Sequence, residues 1–278
     1  MSEDINTNEQ TIRYEDDNIR HLSDMEHVRT RPGMYIGRLG DGSLADDGIY
    51  VLLKTVIDTS IVEFKWNAGD LIEINIDDRL RVSVRDYGRG IPQGKLVEAV
   101  SVLNTGGKYD SKNYKRSVGL NGVGIKAVNA LSSHFYIRST RDGQSASVTY
   151  EQGLVVEESG IVPDPNEENG TFVKFTPDAT IFKNYEFRNH IIEAMIKNYS
   201  FLNTGLTLIF NGKRYHSRNG LSDLLKENMT NDPLYPIMHF RGEDIEIVVT
   251  HAAQVVEEIY SVSNSKHTTE DGPHQPAF

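Results

Sequence analysis

Two glycine-punctuated stretches constrain this chain more than anything else in it. The first is Arg85-Asp86-Tyr87-Gly88-Arg89-Gly90-Ile91-Pro92 and the second is Ser117-Val118-Gly119-Leu120-Asn121-Gly122-Val123-Gly124-Ile125. Each leaves a hydrophobic run, and the second leads into an apolar helical pattern of Ile125, Val128, Ala130 and Leu131. Backbone amides at such a junction can converge on an anion where a helix begins, so a phosphate ligand is expected there.

Two common phosphate motifs fail on context. A Walker A loop needs Gly-x-x-x-x-Gly-Lys-Ser/Thr, but Gly107-Lys108 is followed by Tyr109, with Val102 where the first glycine should stand. Gly122-Val123-Gly124-Ile125-Lys126-Ala127 fits the dinucleotide pattern G-x-G-x-x-A. No strand precedes it, however, because 104–117 is polar, and Asp142-Gly143 reads as a hairpin turn rather than a ribose-binding acid.

The chain has 278 residues, 38% of them hydrophobic, which is room for one large domain and part of another. Absence of cysteine excludes disulfides and thiol chemistry. The start, Met1-Ser2-Glu3-Asp4, has no basic region followed by an apolar one, and no stretch approaches membrane-spanning length. A cytoplasmic, soluble protein is expected. A net charge of −11 argues against an autonomous DNA binder, since phosphate contacts need clustered Lys and Arg.

Residues 1–11 read as a polar tail, Pro32-Gly33 as a turn and Gly40–Gly48 as a loop. Tyr50, Leu53, Ile57, Ile61 and Phe64 recur at helical spacing, which predicts a helix from Ile49 to about Lys65. Thr55, Thr59 and Val62 form another stripe of it and face one direction together. Leu71–Ile76 and Leu80–Val84 alternate around Asp77-Asp78 as a hairpin ending at Asp86. A short helix is expected over Leu96–Leu103, and two strands over 134–150 around Arg141-Asp142-Gly143-Gln144. Further on, the pattern predicts a strand at Gly170–Phe175, a helix over 186–200, and a hairpin at Asn211-Gly212. After Pro233 the composition resets, with strands at Ile245–Thr250 and Ile259–Ser263. The expected class is α+β, a two-layer sandwich of a mixed, mostly antiparallel sheet with helices on one face.

Asp-x-Gly-x-Gly after a strand, a polar loop, and Gly-x-x-Gly-x-Gly opening a helix occur here in one order. Added to these are Val28-Arg29-Thr30-Arg31-Pro32-Gly33-Met34-Tyr35-Ile36-Gly37, Val128-Asn129-Ala130-Leu131-Ser132, Gly170-Thr171 and Phe201-Leu202-Asn203-Thr204-Gly205. In these motifs the chain resembles the ATPase region of the B-type subunits of bacterial type IIA DNA topoisomerases, gyrase and topoisomerase IV. They belong to the GHKL superfamily, with the heat-shock chaperone, sensor histidine kinases and mismatch-repair ATPases. The Arg31–Gly37 and Asn129–Ser132 stretches look specific to the topoisomerases within it.

The resemblance implies ATP and Mg²⁺ as cofactors and assigns roles by position. Asp86 matches the aspartate that accepts the exocyclic amine of adenine; the residues alone also allow a turn former at a strand end. Gly88, Arg89, Gly90, Ile91 and Pro92 would line that pocket. Thr171 matches a threonine that supports the aspartate through its hydroxyl, or is simply a buried strand residue. Gly119, Leu120, Asn121, Gly122, Val123 and Gly124 would present amides to the β- and γ-phosphates, although Asn121 replaces a frequent histidine. The loop 104–117 would be a lid over ATP, in which Lys108, Tyr114 and Lys115 contact nucleotide or are solvated surface groups. Tyr14 and Ile19 fall in an arm that crosses to the nucleotide pocket of a second copy.

Three departures carry the most information. Thr55 stands where the family has the glutamate that activates water, Thr59 where it has the Mg²⁺-binding asparagine, and Val62 where it has an aspartate; Asp58 and Glu63 match and are expected to point elsewhere. Threonine is no general base near neutral pH, and losing such a base costs roughly 10²- to 10⁴-fold in rate. The expectation is an ATP-operated dimer clamp for DNA strand passage with impaired hydrolysis, or an inactive nucleotide-binding or dimerisation module. The implied partners are a second copy, an A-type topoisomerase subunit, DNA held through the full complex, and aminocoumarin inhibitors at Asp86, Arg89, Arg141 and Thr171. The implied organisation is a tail and arm at 1–24, an ATP-binding domain at 25–232, and the start of a transducer domain at 233–278. Asp271-Gly272-Pro273-His274 departs from the family's Gly-Gly-Thr-His, and the transducer's phosphate-binding lysine would lie beyond Phe278, so a fragment is expected.

Overall fold

A computed structural model describes residues 22–105, 122–242, 245–253, 258–263 and 266–267. Tyr14, Ile19, Lys108, Tyr114, Lys115, Gly119, Leu120, Asn121 and the stretch from Asp271 to His274 lie outside the described residues.

Helix α1 (Asp24–Thr30) opens on a capping box, in which the Glu26 amide donates to the Ser23 hydroxyl and the Ser23 amide donates to the Glu26 carboxylate. Pro32 starts a turn as expected, but the turn winds on into a one-turn helix, α2 (Gly33–Ile36). The central helix α3 (Gly48–Lys65) follows the loop. Its Ile49, Leu52, Leu53, Val56 and Ile57 are almost wholly buried, each contributing roughly 1.5–3 kcal/mol by leaving water. Asp47 precedes it and fixes the loop, accepting the Gly42 and Leu44 amides and pairing with Arg38.

Strands β1 (Leu71–Ile76) and β2 (Val82–Asp86) form the expected hairpin. Helix α4 (Leu96–Ser101) stops two residues earlier than expected, where Val102 turns extended and Asn104 takes φ +57°. Helix α5 (Gly124–Ala130) leads into β3 (Ser132–Arg141), β4 (Gln144–Glu151), β5 (Leu154–Pro163) and β6 (Gly170–Pro177). Helix α6 (Asn189–Leu202), strands β7 (Thr207–Phe210) and β8 (Lys213–His216), and helix α7 (Leu221–Asn228) complete the large unit.

The eight strands lie in the order β5-β4-β3-β6-β2-β1-β7-β8. Among the described residues only β1 and β7 pair in parallel, so the sheet is mixed and mostly antiparallel, and the α+β expectation holds. After Pro233 come two small antiparallel pairs, β9 (Met238–Arg241) with β10 (Glu246–Val249) and β11 (Val262–Ser263) with β12 (Lys266–His267). The strand expected at Ile259–Ser263 is therefore only two residues long. Among the described residues no helix is long and apolar enough to cross a membrane.

Candidate functional site

Helix α3 is the spine along which the candidate residues assemble. At its C-terminal half, Asp86 is the last residue of β2 and is only 4% exposed. Its Oδ1 accepts the Gly88 amide at 3.0 Å and the Thr171 amide at 3.1 Å, and its Oδ2 accepts the Ser60 hydroxyl at 3.0 Å. Burial pushes this carboxyl up to about 6, against the three donors, which pull it down. A buried carboxylate with its donors in place and lone pairs to spare can accept an N–H from a planar base.

The donor from Thr171 is its backbone amide, not the hydroxyl expected from the sequence. The reason lies in Gly170, where an added Cβ would stand 2.1 Å from the Asp86 carbonyl oxygen at φ +141°. That close approach brings the β6 backbone directly against the end of β2.

Glu63 corrects a second expectation, because it does not point away from the site. Its carboxylate accepts the Arg89 amide at 3.0 Å and grips the Arg89 guanidinium at 2.9 Å through both oxygens. The guanidinium also lies 5.4 Å from the ring centroid of Trp66, a cation–π arrangement. Ile91 follows, its carbonyl accepting the Ser139 hydroxyl, and exposed Pro92 leads into a 3-10 turn at Gln93–Lys95. Asp58 does point elsewhere, accepting the Tyr199 hydroxyl of α6 at 2.7 Å in the core.

Near its middle, α3 meets the described end of the second glycine stretch through Thr55 and Gly124. Gly122 takes φ +61°, and α5 begins at Gly124 with no side-chain cap. A Cβ on Gly124 would stand 2.7 Å from the Thr55 methyl, so glycine there is what lets the two helices meet. Thr55 is thus turned towards Gly124. Its hydroxyl donates to the Val51 carbonyl at 2.8 Å, and the Thr59 hydroxyl donates to the Thr55 carbonyl at 3.0 Å. Both protons are spent on the helix's own backbone, and Val62, one turn further, is a buried hydrocarbon.

This face supplies no general base. It is also a poor seat for Mg²⁺, a hard ion that takes carboxylate, carbonyl and water oxygens in strict octahedral geometry. Among the described residues no group of three or more His, Asp or Glu could hold a metal. Arg141 is the last residue of β3, where it pairs with Asp142 at 3.4 Å.

Sequence reasoning missed three residues here. Ser60, Trp66 and Lys126 all meet partners distant in the chain, and Lys126, 2% exposed on α5, donates to the Thr105 carbonyl. Periodicity carries no signal for such contacts, although a lysine on the buried side of a short apolar helix was a visible anomaly.

Comparison with known proteins agrees with this geometry. The family described as Histidine kinase-, DNA gyrase B-, and HSP90-like ATPase matches residues 45–181. The chain is 44% identical to the B-type subunit of DNA topoisomerase 4 from Borreliella burgdorferi, over 96% of this chain and 44% of that protein. It is 31% identical to the B-type subunit of DNA gyrase from Helicobacter pylori, over 95% of this chain and 36% of that one. It therefore spans less than half the length of the curated relatives it matches. Among solved structures, it is similar to the 43K ATPase domain of Thermus thermophilus gyrase B in complex with an aminocoumarin. That likeness has a TM-score of 0.66 and 28% identity, and covers 82% of this chain and 62% of the other.

Proposed function

The chain belongs to the histidine kinase-, DNA gyrase B- and HSP90-like ATPase family, and on that premise we propose that its cleft holds ATP while splitting it poorly. The observation that carries the reading is the contrast between two faces of α3: Ser60 on one helps hold the Asp86 carboxylate, which has three donors, and the Thr55 and Thr59 hydroxyls on the other are folded back on the helix. In this reading Asp86 accepts the adenine amine, Gly88 and Gly90 let the loop lie close against Glu63 and Thr140, and Arg89 flanks the ring on the Glu63 carboxylate. The loop ending at Gly122, Val123 and Gly124 presents amides to the phosphates, and Thr55 and Thr59 stand where a water-activating base and a metal ligand are missing.

The likeness to the B-type subunits of topoisomerase 4 and gyrase extends the proposal to the whole protein. There the domain at 25–232 would belong to an ATP-operated clamp for DNA strand passage, working with an A-type subunit and a second copy reached through the arm at 1–24. Residues 233–278 would begin a transducer domain, and the setting would be cytoplasmic. Threonine hydroxyls committed to their own helix favour a second reading, a nucleotide-binding or dimerisation module without turnover.

Calorimetric titration with a non-hydrolysable ATP analogue, repeated in the presence of an aminocoumarin, tests the pocket. The expected result is one nucleotide per chain, displaced competitively by the inhibitor. Absence of binding by both ligands overturns the reading. Mass measurement with the analogue bound then separates a dimerising clamp from a monomeric binder.

A further inference from the structure

We infer that the chain carries a second anion site, between α7 and β9, that takes a compact phosphate-bearing anion such as pyrophosphate. It shares no residue with the cleft around Asp86. The site is a cleft of about 840 Å³, lined by Thr204, Arg218, Ser222 and Lys226 from α7 and the chain before it, and by His239 and Arg241 from β9.

Two periodicities bring these groups together. Ser222 and Lys226 are four residues apart on α7, so they share one side of the helix. His239 and Arg241 are two residues apart on β9, so they share one face of the strand. Thr204 is drawn in by Gly220, the residue before α7, where a Cβ at φ +55° would stand 2.3 Å from the Thr204 hydroxyl oxygen.

The carboxylates nearby back these walls without lining them. Glu246, opposite Arg241 in the β9–β10 pair, meets the His239 ring at 2.7 Å and accepts from the Arg241 guanidinium at 3.0 Å, and so holds both in place. One N–H of the guanidinium is spent there, which leaves the others for a ligand. Asp223 accepts the Ser217 hydroxyl and both the backbone and side-chain amides of Asn219. Burial pushes its carboxyl up, but these donors, with the Lys226 charge nearby, hold it below the usual carboxylate range. Among the described residues Arg218 is paired with no carboxylate.

Three permanent cations and a histidine thus converge on one concavity in a chain whose net charge is −11. Guanidinium forks match the paired oxygens of a phosphate, and the Thr204 and Ser222 hydroxyls add neutral donors. A compact anion fits this setting better than a long one. Asp223, Glu227, Asp232 and Glu246 adjoin the lining residues, so an extended polyanion would also meet their charges, whereas pyrophosphate reaches the cations alone.

The test is calorimetric titration of pyrophosphate into the full chain without Mg²⁺, repeated with Arg218→Gln combined with Arg241→Gln. Lys213→Gln serves as a charge control, because Lys213 lies outside the cleft and pairs with Glu193. The double variant is expected to weaken pyrophosphate by about tenfold or more, and Lys213→Gln to leave it within about twofold. Hydrogen exchange should show 237–241 protected by pyrophosphate in the unaltered chain and unprotected in the double variant. An unchanged melting temperature shows that the double variant folds; if it does not fold, Lys226→Gln alone should still cost about threefold. Undetectable binding by the unaltered chain overturns the inference, as does equal affinity in the variants. Displacement of bound pyrophosphate by a short DNA duplex at a lower phosphate concentration also overturns it, because the occupant would then be a nucleic acid.

Discussion

Two faces of α3 have been furnished in opposite ways. Around Ser60 and Glu63, polar groups reach out of the helix to a buried aspartate and to a guanidinium gripped in a fork. Around Thr55 and Thr59, polar groups turn inward to the carbonyls one turn back. The Ser60 face meets a group with a standing cost, because burial raises the Asp86 carboxyl from 3.8 to about 6 and the charge is then carried at neutral pH. The Thr55 face bears none, since a threonine bonded to its own helix is locally satisfied. A strained, costly group is intelligible where a ligand uses it, and a relaxed face is intelligible where no chemistry is asked of it. In the proposed function, recognition and hydrolysis are therefore separable on two faces of a single helix.

The contrast breaks most visibly if the relaxed face is rebuilt. Thr55→Glu combined with Thr59→Asn should raise steady-state Mg·ATP turnover by roughly 10²- to 10⁴-fold, the range a positioned general base contributes. Equal turnover before and after the exchange, in a coupled phosphate-release assay, removes the distinction between the faces.

Next in size is the loss of the costly group. Asp86→Asn should weaken ATP by roughly 10- to 100-fold, since a hydrogen bond to a charged acceptor is lost. The same change should raise the melting temperature at pH 8. The native carboxyl holds its proton more tightly than the unfolded one, so its ionisation subtracts from stability, with no effect below 3.8 and the full effect above about 6. That gap corresponds to about 3 kcal/mol at most. Scanning calorimetry should find the gain at pH 8 gone at pH 4; a destabilised variant at pH 8 would mean that the charge supports the fold.

Acid should sharpen the comparison by a smaller amount. ATP affinity is expected to drop by about tenfold between pH 7 and pH 5, as Asp86 takes up its proton and stops accepting from adenine. A flat profile would separate Asp86 from the ligand. Smallest is Ser60→Ala, with a roughly two- to tenfold loss in ATP affinity. It should also move the acid midpoint upward, because the Ser60 hydroxyl is one of the donors holding the carboxyl down; an unmoved midpoint would show that this bond does not tune Asp86.

Much of this was legible in the residues, and the limits have physical causes. The spacing of Tyr50, Leu53, Ile57 and Ile61 gave α3 to within a residue, and the turns at Asp142-Gly143 and Asn211-Gly212 gave two hairpins. Strand β5 escaped notice because all ten of its residues are exposed at the sheet edge, so it has no buried face to impose alternation. The Ser23-to-Glu26 capping box of α1 was readable but passed over inside an acidic stretch. At the site, the stripe of Thr55, Thr59 and Val62 was visible because it lies on one helix. Ser60 and Lys126 were not, since their meaning depends on Asp86 and Thr105, which only the folded chain brings near. The Thr171 contact came through the backbone because Gly170 admits a closer approach than side-chain pattern can register.

The most direct test of the central claim is a single-turnover experiment with the chain in excess over labelled ATP, in which bound nucleotide is recovered and its phosphate chain identified. Retained nucleotide that remains ATP long after the rebuilt Thr55→Glu, Thr59→Asn chain has converted its own to ADP is the predicted outcome. Bound ADP formed at the rebuilt chain's rate, or no nucleotide retained at all, would contradict it.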